Sequence, residues 1–259
     1  MQRNALRLWT ALLLLPAAAA QADFQHQASV ALGTSSDDFG DGLVQSRYAY
    51  YFAPVQVGDA PYRLNTFLSP QSTLRVSYGF DSNVDLYGVG GTFHSEGGWL
   101  AGADYGRLEV FGSTTDSLSL ALGYDFQPGQ RVTARYATLD REWGFDSSTY
   151  SIDYLGYFDL ASTAGIAVNA GWAHTEYDGV GRDNDNLTLA AAWYLTQSWY
   201  LGADYLYFDD GGDSDDTWVL STGYWWQFAD HFALTADLSR FLDSGASGVA
   251  INLGFQARF

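Results

Sequence analysis

The sequence predicts an all-β protein, an antiparallel up-and-down barrel of about fourteen strands that crosses a membrane; twelve or sixteen are the neighbouring counts. Three observations carry this reading. Apolar residues recur at a spacing of two, connectors alternate between acidic loops and tight turns, and aromatic residues gather near both ends of the strands. A period of two marks a strand with two unlike faces. Residues 248–259, GVAINLGFQARF, show it plainly: Val249, Ile251, Leu253, Phe255, Ala257 and Phe259 alternate with small or polar residues.

Residues 1–22 stand apart. Arg3 and Arg7 precede the apolar run Ala11–Ala20, and Ala20-Gln21-Ala22 supplies small residues at the A-x-A spacing. This is the pattern of a secretory signal peptide, with cleavage expected before Asp23. The run is shorter than the roughly 20 residues a helical span needs. The barrel is therefore expected over 23–259.

Over that range ten arginines face thirty acids, twenty-six of them Asp, and there is no lysine and no cysteine. The lack of cysteine suits passage through an oxidising periplasm without disulfide staples. The acid excess argues against a nucleic-acid partner, whose phosphates attract Lys and Arg. Disorder is excluded because 47% of the chain is apolar and 17% aromatic, far from the composition of unfolded segments.

The strands follow in order. The first (24–33) and second (43–53) flank the acidic loop TSSDDFGDG (34–42). A long connector, PVQVGDAPYRLNTFLSP (54–70), leads to the third strand (71–80) and has the composition to hold a short helix. Glycines blur the faces of the fourth (84–94) and fifth (98–111) strands. In the sixth (116–126), Leu118, Leu120, Leu122, Tyr124 and Phe126 share a face opposite Ser117, Ser119, Ala121, Gly123 and Asp125. The turn QPGQ (127–130) opens the seventh (130–139), and DREWGFDSS (140–148) precedes the eighth (149–159). The turn LAST (160–163) leads to the ninth (163–177), and DGVGRDNDN (178–186) to the tenth (187–195). TQS (196–198) gives way to the eleventh (198–208), and DDGGDSDD (209–216) to the twelfth (217–227). There Trp218, Leu220, Thr222, Tyr224 and Trp226 share a face. A two-residue turn, Ala229-Asp230, separates it from the thirteenth (231–241), and the fourteenth is 247–259.

The chemistry of the two faces decides which solvent each meets. The polar face carries Gly, Ala, Ser, Thr and Asn with scattered Asp and Arg, while the other is rich in Leu, Val, Trp and Tyr. A soluble sandwich would bury the apolar face and show mixed charge outside. A bacterial outer-membrane barrel does the reverse, with lipid against the apolar face and water in the lumen. Its sheet must close, because hydrocarbon leaves unpaired backbone groups unsatisfied. Two aromatic belts fit the two interfaces. Phe126, Phe158, Trp193, Trp199, Trp226, Phe232 and Phe259 are expected at the periplasmic end; Tyr78, Tyr105, Tyr136, Tyr150, Trp172, Tyr207 and Trp218 at the outer end.

Two resemblances sharpen the expectation. The alternating strand ending on Phe259 resembles the C-terminal assembly signal of bacterial outer-membrane proteins, which implies the barrel-assembly machinery as a partner during insertion. The stretch YAYYFAPVQVGDAPYRLNTFLSPQSTLRVSYGF (48–80) resembles the putative general porins of Gram-negative bacteria. That resemblance implies a β-barrel and passive solute diffusion, and it supplies no catalytic residues.

The charged residues on the polar face are the candidate pore lining: Arg47, Arg75, Asp104, Asp125, Arg131, Arg135, Asp153, Asp204 and Asp237, with Arg258 near the chain end. Rings of such charges select ions by sign, or pair across the barrel. The outer mouth is acidic through Asp209, Asp210, Asp213, Asp215 and Asp216. These oxygens are of the kind Ca²⁺ takes, but no EF-hand spacing is present, and no metal or cofactor is expected. His174, with Glu176 two residues on, is the candidate proton-transfer pair; His26, His94 and His231 are expected near the periplasmic end. No GxSxG, Walker or HExxH stretch occurs.

The expected function is passive diffusion of small hydrophilic solutes and ions through a water-filled lumen in the outer membrane, with mild cation preference from the acidic mouth. The alternatives are a plugged barrel whose loops bind lipopolysaccharide or another surface, and a lipid-modifying enzyme using His174. Outer-membrane lipids surround the barrel in every case, and the possibility of a homo-oligomer stays open.

Overall fold

A computed structural model describes residues 23–36, 42–179, 183–242 and 248–259. The expected signal segment, 1–22, and parts of the loops after the first, ninth and thirteenth strands lie outside the described residues. Fourteen strands follow one another: β1 (Phe24–Ser35), β2 (Leu43–Val55), β3 (Thr73–Phe80), β4 (Val84–His94) and β5 (Trp99–Val110). Next come β6 (Ser113–Gln127), β7 (Gln130–Arg141), β8 (Ser147–Leu160), β9 (Thr163–Tyr177) and β10 (Asn184–Tyr194). The last are β11 (Trp199–Asp209), β12 (Ser214–Ala229), β13 (Phe232–Phe241) and β14 (Ala250–Arg258).

Each strand pairs with the next, and β14 pairs with β1 to close the barrel. Closure removes the edges that a sheet in hydrocarbon cannot leave unpaired. The register fixes the faces. Ser29 lies opposite Gln256 and Val30 opposite Phe255, so the polar and apolar sets remain segregated across the seam.

The apolar set faces outward. Leu120, at the middle of β6, is 50% exposed, and Leu118, Leu122, Val30, Leu74, Val76 and Leu220 are exposed with it. Phe126, Phe158, Trp193, Trp199 and Phe259 ring one end; Tyr78, Tyr105, Tyr136, Tyr150, Trp172 and Trp218 ring the other. What solvent-free core exists lies inside the barrel at the periplasmic end, where Phe24, Val55, Trp225 and Gln227 are essentially inaccessible.

Several strands run further than the alternation suggests. β6, β8, β10 and β12 begin at Ser113, Ser147, Asn184 and Ser214, inside segments whose composition reads as loop. Their outer ends carry polar side chains on both faces. The ladder hydrogen bonds persist there, but nothing selects an apolar face. The β5–β6 connection is a two-residue hairpin. Phe111 (φ 51°) and Gly112 (φ 83°) both adopt the left-handed region, as a hairpin turn matching the strand twist requires.

Candidate functional site: the lumen and its periplasmic plug

The connector between β2 and β3 does not run along the rim. It folds into the barrel from the periplasmic side, through a 3₁₀ turn, Tyr62–Leu64, and one α-helical turn, Asn65–Leu68. Pro61 precedes the first turn with φ −56°, the value its ring fixes. The base of the connector closes on itself and on the residue before β1: Gln56 N–H donates to Ser69 Oγ at 2.9 Å, and Val57 N–H to Asp23 Oδ1 at 2.9 Å.

Side chains of this plug reach walls on both sides. Arg63 pairs with Asp237 on β13 at 2.9 Å, and its guanidinium lies over the Tyr200 ring of β11, 5.3 Å from the centroid. Tyr200 donates its hydroxyl to the same carboxylate at 2.9 Å. Phe67 presents its ring to Arg131 of β7 at 5.2 Å. Tyr62 approaches Trp225, and its backbone N–H donates to Gln197 O in the β10–β11 turn at 3.1 Å. Burial raises the Tyr62 phenol above its ordinary range, so the ring stays neutral. Asn65 is buried with them.

Arg258 anchors the floor. Its guanidinium is held between the rings of Trp225 (4.5 Å) and Phe24 (4.6 Å). It donates to Gln27 Oε1 at 3.1 Å and to Tyr62 O at 3.4 Å. A cation so enclosed is stabilised by the ring quadrupoles and joins the closing seam to the plug.

The residues singled out on the polar face all fall on the inward side of the ladder. Arg75 pairs with Asp104, which the register brings near through Gly90. A Cβ at Gly90 would collide with the Asp104 carboxylate, so glycine there makes room for the ion pair. Arg131 holds Asp125 with two bonds, 2.6 and 3.0 Å, and His94 stands 3.9 Å from the same carboxylate. Arg135 reaches only Ser119, at 3.4 Å. Among the described residues, Arg47 and Asp204 have no hydrogen-bond or ion-pair partner. Asp153 leans over Gly171 of β9 and accepts only a 3.5 Å contact from Ser151. The charges without an opposite partner thus sort by position, Arg47 and Arg135 on β2 and β7, Asp153 and Asp204 on β8 and β11.

The acidic residues of the β11–β12 hairpin bind their own backbone. Asp209 accepts from Gly211 N–H at 2.8 Å, Asp210 from Gly212 (3.0 Å) and Asp213 (2.8 Å), and Asp215 from Asp216 (2.9 Å). Such Asx-type contacts shape a turn. Among the described residues no three His, Asp or Glu side chains converge as metal ligands would.

His174 sits on the outward face near the outer rim, with Trp172 stacked on it at 6.1 Å. Asp185, across the strand pair, is its nearer carboxylate at 3.1 Å; Glu176 is at 3.9 Å. His26 bonds Tyr48 OH at 2.7 Å on the outer wall, and His231 Nδ1 meets Arg258 O at 2.7 Å while stacking on Phe259.

Alternation alone does not reveal Arg63. It sits in an aperiodic connector, and the only signal for it is the length of that connector and its prolines.

A closed fourteen-strand barrel, apolar outside and polar inside, with aromatic girdles at both rims, defines the class of outer-membrane barrels. The chain belongs to the family described as putative general bacterial porin, which matches residues 1–180. Its place is the bacterial outer membrane. Among solved structures it is similar to the outer-membrane protein Omp33 of Acinetobacter baumannii, with 19% identity, a TM-score of 0.61, and 92% of this chain and 99% of that one covered. It is also similar to a bacterial polysaccharide outer-membrane secretin, with 11% identity, a TM-score of 0.59, and 90% and 98% covered. A loop-deletion form of OmpT, an outer-membrane protein of Vibrio cholerae, gives 12% identity, a TM-score of 0.50, and 92% and 98% covered. No curated protein matches the chain.

Proposed function

We propose that the chain is a narrow diffusion channel for small hydrophilic solutes and ions, whose aperture is set by the plug and whose mild cation preference is set at the outer mouth. The observation that carries this is the polar, glycine- and alanine-lined inner wall held open by a fourteen-strand circumference; barrels of about eight strands are instead filled by their own side chains. Three lumenal arginines are neutralised locally, Arg75 by Asp104, Arg131 by Asp125 and Arg63 by Asp237. Of the remaining lining charges, Arg47 and Arg135 balance Asp153 and Asp204, while Arg258 is enclosed between Phe24 and Trp225 in the floor. Asp209, Asp210, Asp213, Asp215 and Asp216 then dominate the field a solute meets first.

We read the chain as a channel and not as a catalyst. His174 faces outward, engages two carboxylates and has no hydroxyl nucleophile bonded to it among the described residues. Phe259 packs on His231 and Phe232 at the girdle, a geometry that supports its reading as the insertion signal read by the assembly machinery.

The test is single-channel conductance and reversal potential of the purified protein in a planar bilayer under a salt gradient. A small cation-selective conductance is expected. Silence both in the native chain and in Arg63→Ala, which releases the plug's ion pair, would leave the plugged structural barrel as the reading.

A further inference from the structure

Resting on the reading of the lumen as a solute path, we propose that a lumenal hollow above the plug is a binding station for a small zwitterion of the amino-acid kind. The hollow has a volume of about 300 Å³, at the small end of ligand-sized cavities. Its floor is Ala190, Ala192 and Gly202; its polar lining includes Asp204, Tyr194, Tyr200 and Arg63.

Two poles of opposite sign face this one space. Asp204 lies opposite Ala190 on β10 and Val219 on β12, so the sheet offers its half-buried carboxylate no donor. A partly desolvated, uncompensated carboxylate attracts a cation. A single carboxylate is a poor site for Ca²⁺ or Mg²⁺, which demand six or more oxygens, whereas an ammonium needs only a few acceptors. The second pole is Arg63. Its Nη2 is engaged by Asp237, but its Nη1 has no acceptor among the described residues and, unlike Nε, is not enclosed. A ligand carboxylate is the group that such a donor lacks. With Arg63 matched by Asp237, Asp204 leaves the site net negative. The ammonium therefore anchors the ligand, the carboxylate orients it, and a plain anion is repelled.

Saturation-transfer NMR on the full barrel in detergent micelles tests this with four probes of similar size: L-alanine, ethylammonium, acetate and glycerol. Alanine is expected to saturate most strongly, ethylammonium less, and acetate and glycerol hardly at all. Asp204→Asn should weaken alanine and ethylammonium at least about tenfold; Arg63→Gln should bring alanine down to the level of ethylammonium. Acetate equal to alanine on the native chain, or alanine unchanged in Asp204→Asn, overturns the proposal. Proteoliposome swelling with the same solutes separates the two readings. Alanine that binds in micelles but never enters vesicles sinks the diffusion channel and leaves the site; entry of all four solutes with no alanine binding does the opposite.

Discussion

Arg63 and Asp237 lie 174 positions apart in the chain and meet inside the barrel at 2.9 Å. One belongs to a connector, the other to the wall, and their contact turns a loop into a plug. The phenol of Tyr200 joins them, so the carboxylate of Asp237 serves two donors at once. Losing either charged partner is expected to loosen the plug by about 1–3 kcal/mol, the usual range for a charge-assisted bond of limited exposure.

Arg63→Ala and Asp237→Asn should each raise the single-channel conductance, and the double variant should raise it no further than the larger single. Planar-bilayer recordings of the three variants form the cycle. Strictly additive increases would mean that the two residues act apart.

Leu120 and Ser119 are neighbours in sequence and face opposite media. Leu120→Arg places a charge near the middle of the hydrocarbon and should destabilise the folded barrel by about 2–4 kcal/mol. Ser119→Asp sits beside Arg135 in the lumen and should change stability by no more than about 0.5 kcal/mol. Urea unfolding in lipid vesicles measures both; equal losses would refute the assignment of faces.

Trp225 is 1% exposed, bonds Gln227 at 2.9 Å through its indole N–H and covers Arg258. Trp225→Ala should cost about 3–5 kcal/mol. The readout is the temperature at which the barrel loses its compact migration in a detergent gel. Retention of native thermal resistance would show that the periplasmic core contributes little.

Replacing Asp209, Asp210 and Asp213 together with Asn should shift the reversal potential toward the non-selective value. The shift should be larger at low salt than at 1 M, where the Debye length falls to about 3 Å. A shift independent of salt would place the selectivity inside the lumen instead of at the mouth.

Much of this fold is written in the alternation. Leu118, Leu120 and Leu122 declare an outward face because each presents a side chain that only lipid suits. β4 does not, because Gly88 and Gly90 carry nothing by which to tell a face. Their reason lies on adjacent strands, where the Ser77 hydroxyl and the Asp104 carboxylate occupy the space a Cβ would take. The inward side of Arg47, Arg75, Arg131 and Arg135 was legible from period two. The pairing of Arg131 with Asp125 follows from register across a tight turn, which strand limits only approximate. The plug's docking was not legible: Phe67 on Arg131 and Arg63 on Asp237 join an aperiodic segment to strands far along the chain, and local pattern carries no information about such partners.

The plug also imposes an order on biogenesis. Its connector emerges between the second and third strands, yet its seats are on strands seven and eleven to fourteen. Residues 56–72 can therefore make their full set of contacts only when these late strands are in place. A seated plug is thus a mark of a completed barrel, and a protease acting from the periplasm is expected to cut this segment readily in half-assembled chains and slowly in finished ones.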